Sequence, residues 1–160
     1  MMTRRMLTAL LAALALDAAC AQVPRDYQPA QLKEFPRSTL TIQRADGRDT
    51  FHVFIADTPP RQAQGLMWIR DLPADYGMLF LLDAPRPMQM WMKNTYIRLD
   101  MVFFGPDGRI LNIAADARPL NTDIIDSGGA VAGVLELRGG EAGRRGIKAG
   151  DRLLHPALQR

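Results

Sequence analysis

Two turn signals constrain what this chain can become. Ala45-Asp46-Gly47-Arg48 and Gly105-Pro106-Asp107-Gly108 each separate two strand-length apolar runs, the pattern of a β-hairpin. The first predicts strands over 40–44 and 50–56, the second over 99–104 and 109–115. Further runs at 78–82, 88–93, 130–137 and 151–154 bring the total to about eight short strands. Met78 to Leu82 is apolar at every position, the mark of a strand covered on both faces. Helical signals are few. Asp57-Thr58-Pro59 reads as a helix start that stops at Gly65, and Glu141 to Arg145 as one turn that stops at Gly146. Asp83 to Pro87 reads as a turn, and Asp116 to Gly128 as the longest loop. The expected fold class is α+β, mainly β: a compact barrel-like sheet of short strands with two small helices.

The N-terminal segment over 1–21 stands apart from that fold. Arg4 and Arg5 precede an uncharged, mostly apolar stretch from Met6 to Leu16, and Ala18-Ala19-Cys20-Ala21 follows. This is the order of a secretory signal peptide, and its apolar run is too short to span a bilayer. Cleavage after Ala21 leaves Gln22 first. A lipoprotein cut before Cys20 is the alternative, against which Asp17 stands. Thr3-Arg4-Arg5-Met6-Leu7 also resembles a twin-arginine signal, so the export route stays open. No later stretch reaches the roughly 18 uncharged apolar residues of a spanning helix. The expectation is an exported, periplasmic protein without a transmembrane segment. An extended linker over 22–37, carrying Pro24, Pro29 and Pro36, leads to one globular domain over 38–157 and a short tail over 158–160.

Composition removes whole classes of chemistry. Cys20 is the only cysteine, so the domain has no disulfide, thiolate metal site or cysteine nucleophile. Without the signal segment the side-chain charge is about +2. Arg144-Arg145 is the only tight basic pair in that remainder, so a nucleic-acid-binding stripe is not expected. Serine-elbow, zinc-protease, phosphate-loop and calcium-loop motifs are all missing, and no cofactor is expected. Only His52 and His155 are present, far apart in sequence.

The informative stretch is Met88-Gln89-Met90-Trp91-Met92-Lys93-Asn94-Thr95. At strand period two, Met88, Met90 and Met92 share one face while Gln89, Trp91 and Lys93 share the other. The first face reads as core packing rather than a Cu(I) site, since no histidine accompanies it. The second offers stacking area, an amide and a point charge, or else an ordinary core tryptophan beside a snorkelling lysine. Of twenty basic residues only Lys33, Lys93 and Lys148 are lysine, which draws attention to the compact ammonium at 93. Asp100 and Glu136 each interrupt an apolar strand. Alternation toward water is the simpler explanation for both. If enclosed, they would pair with Lys93 or Arg61.

Several segments in this order resemble the domain-of-unknown-function family 192. They are Thr58-Pro59-Pro60-Arg61-Gln62-Ala63-Gln64-Gly65-Leu66-Met67, Gly77-Met78-Leu79-Phe80, Trp91-Met92-Lys93-Asn94-Thr95 and Gly146-Ile147-Lys148-Ala149-Gly150-Asp151. The likeness spans roughly residues 39 to 155 and implies a compact, mainly β fold, with no established activity, substrate or cofactor. It directs attention to Arg61, Gly65, Trp91, Lys93, Asn94, Thr95 and Asp100. The resulting expectation is a binding module for a small polar ligand, glycan or envelope partner protein. Its ligand-binding set is Arg61, Gln89, Trp91, Lys93, Asn94, Thr95 and Asp100, with no metal. The competing expectation is a hydrolase or lyase using Asp100 or Glu136 with Lys93. An enclosed acid with a perturbed pKa beside a cleft would favour the enzyme.

Overall fold

The computed structural model describes residues 27–158, so the signal segment, the two cleavage readings and the start of the linker lie outside the described residues. Seven strands form one sheet: β1 (Arg37–Arg44), β2 (Gly47–Ala56), β3 (Tyr76–Met90), β4 (Leu99–Phe104), β5 (Ile110–Ala117), β6 (Ile125–Arg138) and β7 (Arg152–Leu154). Their order is β5-β4-β6-β3-β2-β1-β7, with β2 and β3 parallel and every other pair antiparallel. The sheet curls until its outer strands meet. Arg109 bridges Arg152, the Leu153 N–H donates to the Gly108 carbonyl at 2.8 Å, and the Ile110 N–H donates to the Asp151 carbonyl at 2.8 Å. Gly108 is required at this seam, because its φ is 79° and a Cβ there would stand 2.3 Å from the Leu153 carbonyl oxygen.

Curling divides the apolar residues into two layers. Inside lie Leu40, Phe51, Leu79, Val102, Leu135 and Leu153, drawn from six of the strands, with Ala142 and Ile147 closing one end. Outside, Phe54, Met78, Phe80, Met101 and Phe103 are covered by Leu66, Ile69, Leu72, Met88 and Met92. Strand β4 is consequently buried at all six positions. Two short helices complete the fold, α1 (Pro59–Gln64) and α2 (Glu141–Arg145).

Several sequence-based boundaries change. Residues 27–36 are no free linker: Ala30–Leu32 form a 3-10 turn, Leu32 and Phe35 are buried in the outer layer, and Tyr27 packs edge-on to Tyr76. Two isolated apolar side chains give no period to read. The stretch from Asp83 to Pro87 is no turn but the middle of β3, bulged against β6. Its prolines are tolerated because this half of β3 pairs with β6 alone and leaves its other edge open. The long loop shrinks to 118–124, since β5 and β6 both extend into the expected range. In the first hairpin Ala45-Asp46 form the turn, and Gly47 already pairs with Arg44.

Asp100 holds the closed end together. Its Oδ1 accepts from the N–H groups of Asp116 (2.8 Å) and Gly140 (2.9 Å), and its Oδ2 from that of Ala142 (2.8 Å). Charge-assisted bonds of this kind are each worth about 1.5–3 kcal/mol, and orphaning the buried Ala142 N–H costs more than losing its bond alone. Glu141 adds a second clamp. It is buried, takes Arg138 at 2.6 Å and Arg145 at 3.2 Å, and also pairs with Arg144. Arg145 continues to Asp49 at 3.4 Å, which fixes α2 to the first hairpin. Burial pushes the Glu141 carboxyl up, but the hydrogen bonds from Arg144, Arg138 and Arg145 outweigh it and hold it down at about 2.

Asp100→Ala is therefore expected to destabilise the protein by more than about 3 kcal/mol in urea titration, whereas Asp100→Asn retains one acceptor and loses less. The Glu141 contribution is fully present above the ordinary carboxylate range and is lost as pH falls toward about 2. A stability profile measured between pH 2 and 5 checks that direction.

Candidate functional site

Among the described residues, Glu136 is the acid buried in the sheet's outer layer. Glu136 lies on β6 between Met78 of β3 and Met101 of β4, on the face opposite the inner-layer residues Leu135 and Leu137. It is only 4% exposed, and its Oε2 is buried without a hydrogen-bond partner among the described residues. Asp75 Oδ1, in the turn before β3, is the one other buried side-chain oxygen of this kind among them. Burial with no compensating cation pushes the Glu136 carboxyl up to about 8, so it is neutral at pH 7.

Glu136 lines a narrow pocket of about 30 Å³ between α1 and the segment following β3. Phe80, Gly65, Thr95, Trp91 and Lys93 line it as well. Gly65 ends α1 with φ 51° and ψ −140°, a conformation open to glycine, and a Cβ there would stand 3.2 Å from the Phe80 ring. Both constraints keep this wall thin. Such a volume holds about two water molecules, or the terminal group of a larger ligand.

The opposite wall is a built turn. The Thr95 N–H donates to the Met92 carbonyl at 3.1 Å, and Asn94 takes a left-handed φ of 56°, which asparagine tolerates better than most residues. The Asn94 carbonyl accepts the Trp68 N–H at 2.8 Å, while Asn121 and Leu120 of the 118–124 loop bond Met92 and Thr95 through the backbone. That loop thus supports the wall from behind and lends the pocket no side chain.

The seven sequence-derived site residues separate. Trp91, Lys93 and Thr95 converge on the pocket. The Trp91 ring is 47% exposed, with the Lys93 ammonium 5.4 Å from its centroid. Met88 and Met92 are buried and Met90 packs against the same layer, so the expected division of faces holds even though the strand ends at Met90. Asn94 serves the turn, with its amide directed at the Met67 sulfur at 3.8 Å. Arg61 is drawn to Asp57 at 2.7 Å and to the Glu34 carbonyl at 3.2 Å, along a separate groove beside α1. Gln89 lies exposed and reaches Asp126 at 3.4 Å. Asp100 is committed to three backbone N–H groups at the other end of the sheet. Neither Asp100 nor Glu136 alternates toward water, and neither pairs with Lys93 or Arg61.

Glu136 is the residue that the ligand-binding set omitted. Its signal was the interruption of an apolar strand, identical in kind to that of Asp100. Nothing in the sequence separates an acid capped by backbone from one left without a partner next to a pocket.

A much larger hollow of about 590 Å³ lies elsewhere, lined by Ser38, Asp57, Asp83 and His155. Its Ser38–His155 pair lies at 2.9 Å but is internally satisfied. The His155 Nδ1 accepts the Ala157 N–H at 3.2 Å, so in the neutral ring Nε2 carries the proton and donates to Ser38. Burial lowers the His155 pKa and favours that neutral form. A serine that accepts from its histidine is not activated for attack. Size alone does not make this hollow the site.

Glu136→Met is expected to stabilise the protein by about 1–3 kcal/mol, because it replaces an unpaired buried acid by an apolar side chain of similar length. Wild-type stability should also fall as pH rises from about 4.5 to about 8, since the folded protein then holds a proton that the unfolded chain has released. Chemical denaturation of both proteins across that range measures the two effects. A less stable Glu136→Met protein would show that the acid is structural.

Comparison with known proteins agrees with this architecture. The family described as Uncharacterized ACR, COG1430 (DUF192) matches residues 41–155, and the chain belongs to it. A solved structure from Sinorhizobium meliloti 1021, a candidate transcription regulator by its description, is 42% identical with a TM-score of 0.74, covering 75% of this chain and 94% of its own. A protein of unknown function from Novosphingobium aromaticivorans DSM 12444 is 38% identical with a TM-score of 0.76, covering 78% of this chain and 89% of its own. No curated protein matches the chain.

Proposed function

We propose that this DUF192 protein is an exported binding module that takes the polar end of a small ligand into the Glu136 pocket. Trp91 and Lys93 form the outer contact surface. The observation that carries this reading is the partnerless carboxyl of Glu136, which lines the same pocket as Trp91 and Lys93. A buried carboxyl without a partner costs stability, and a chain of this size has little stability to spare. Retention of the acid is accounted for if an incoming group completes its hydrogen bonding. An exposed indole supplies apolar contact at little ordering cost, and the ammonium beside it adds charge. Export rests on Arg4, Arg5 and the apolar stretch after them.

The hydrolase or lyase reading retains one supporting observation, the raised Glu136 carboxyl in a pocket that Lys93 also lines. Against it stands the pocket's size. About 30 Å³ admits an end group but not a scissile bond with substituents on both sides. The regulator description of the Sinorhizobium relative is weakened by the pairing of several basic residues. Arg44, Arg61, Arg98, Arg138, Arg144 and Arg145 all pair with acids.

An NMR screen with small acids, amines, amides and alcohols tests the reading. Binding fragments should shift the Trp91 indole and Thr95 amide signals together, and Glu136→Met should abolish those shifts without loss of fold. Conversion of a fragment into a new species would favour the enzyme. Shifts confined to other regions would refute the pocket.

A further inference from the structure

The charges around the pocket select among polar groups. Apart from Glu136, Lys93 is the only ionisable side chain among the described lining residues. The neighbouring strands contribute Met78 and Met101 beside Glu136, and α1 contributes the amides of Gln62 and Gln64. Arg61, the nearest other cation in sequence on that side, is occupied by Asp57. Gln62 directs its amide N–H groups to the Ala56 and Leu81 carbonyls at 3.3 and 2.8 Å, so its donors are spent. The pocket therefore presents a carboxylic acid with an unmet hydrogen bond and, at its rim, one positive charge.

We propose that the end group taken by this pocket is a carboxylate, which accepts a hydrogen bond from the Glu136 carboxyl and is neutralised by the Lys93 ammonium. The inference rests on the pocket reading above and deepens it by naming the ligand as a small monocarboxylic acid. A carboxylate supplies the acceptor that the acid's O–H lacks, and two carboxyl groups can share a single proton because like charges so close do not both ionise. Its carbon chain would then lie along Met67, Met90 and the exposed Trp91 ring, all of which line the pocket. An ammonium end group fits less well. It would require Glu136 to ionise, and it would bring a second positive charge into a pocket that Lys93 already lines.

The pH dependence has a definite sign. Carboxylate binding requires the Glu136 proton, so affinity is flat below about 8 and falls about tenfold per pH unit above it. An amine, which binds the ionised acid, would instead gain affinity as pH rises toward about 8.

The direct test is titration of the purified protein with butyrate and with butylammonium, a pair matched in chain length, by isothermal calorimetry and Trp91 fluorescence at pH 6, 7, 8 and 9. Saturable butyrate binding is expected, at least about tenfold tighter than butylammonium at pH 7 and weakening above pH 8. Lys93→Met, at an exposed position, should weaken butyrate by up to about fivefold, the usual range of a partly exposed ion pair. Glu136→Gln retains a donor, so it should bind butyrate without the fall above pH 8. Preferential binding of butylammonium would overturn the carboxylate assignment while leaving the pocket reading intact. No binding of either probe would also overturn it, and the fragment screen above then decides the pocket itself. Butyrate binding that is unchanged in Lys93→Met and still falls above pH 8 in Glu136→Gln would place the anion elsewhere and overturn it as well.

Discussion

Strands β3, β4 and β6 are covered on both faces over their shared length, and that constraint governs every polar side chain they carry. One face belongs to the inner layer, the other to an outer layer closed by the segments around Leu32, Leu66 and Met92. A strand of this kind has no solvent side, so an acid on it must be satisfied internally or remain unpaired at a cost. The two buried acids on β4 and β6 illustrate both outcomes. Asp100 points toward the inner end of the sheet and collects three backbone N–H groups. Glu136 points into the outer layer and leaves one oxygen unmet beside a small pocket.

Much of this fold was legible from local chemistry. Both hairpins, the start and stop of α1 and the single turn of α2 follow from turn and cap residues that act over a few positions. Met78 to Leu82 reads as a doubly buried strand, and it is buried from Met78 to Phe80, with Leu81 and Leu82 half-buried. The second cover was not legible. Leu32 lies in a single 3-10 turn and Phe35, Leu66, Ile69 and Leu72 in irregular segments, where burial leaves no period of two or 3.6. Without that cover, Asp100 and Glu136 read as ordinary alternation toward water. The long β3 was hidden for a related reason. Pro85 and Pro87 argue against a central strand, and only the one-sided pairing of that half removes the objection.

The site shows a similar division. The Met-Gln-Met-Trp-Met-Lys run announced its two faces through simple alternation, and Trp91 and Lys93 stand together as that pattern required. Asn94 and Thr95 owe their identities largely to the turn that carries the wall, and Arg61 and Asp100 to ion and backbone bonding elsewhere. What the pattern could not supply was the floor of the pocket, because Glu136 is some forty residues away and reaches the site only through the β3–β6 pairing. The same pairing gives the acid its character. Methionine neighbours on both flanking strands provide no charge and no hydrogen bond, so the environment itself selects the neutral form.

The central claim is that Glu136 is a neutral, unpaired carboxyl held ready for an incoming group. Carbon-13 NMR of the glutamate side-chain carboxyl carbons, assigned by comparison with Glu136→Gln, measures its ionisation directly. The account predicts that this carboxyl titrates near pH 8 in the free protein, well above the other glutamates. Titration in the ordinary carboxylate range, about 4 to 5, would contradict it, because the acid would then be paired or open to water.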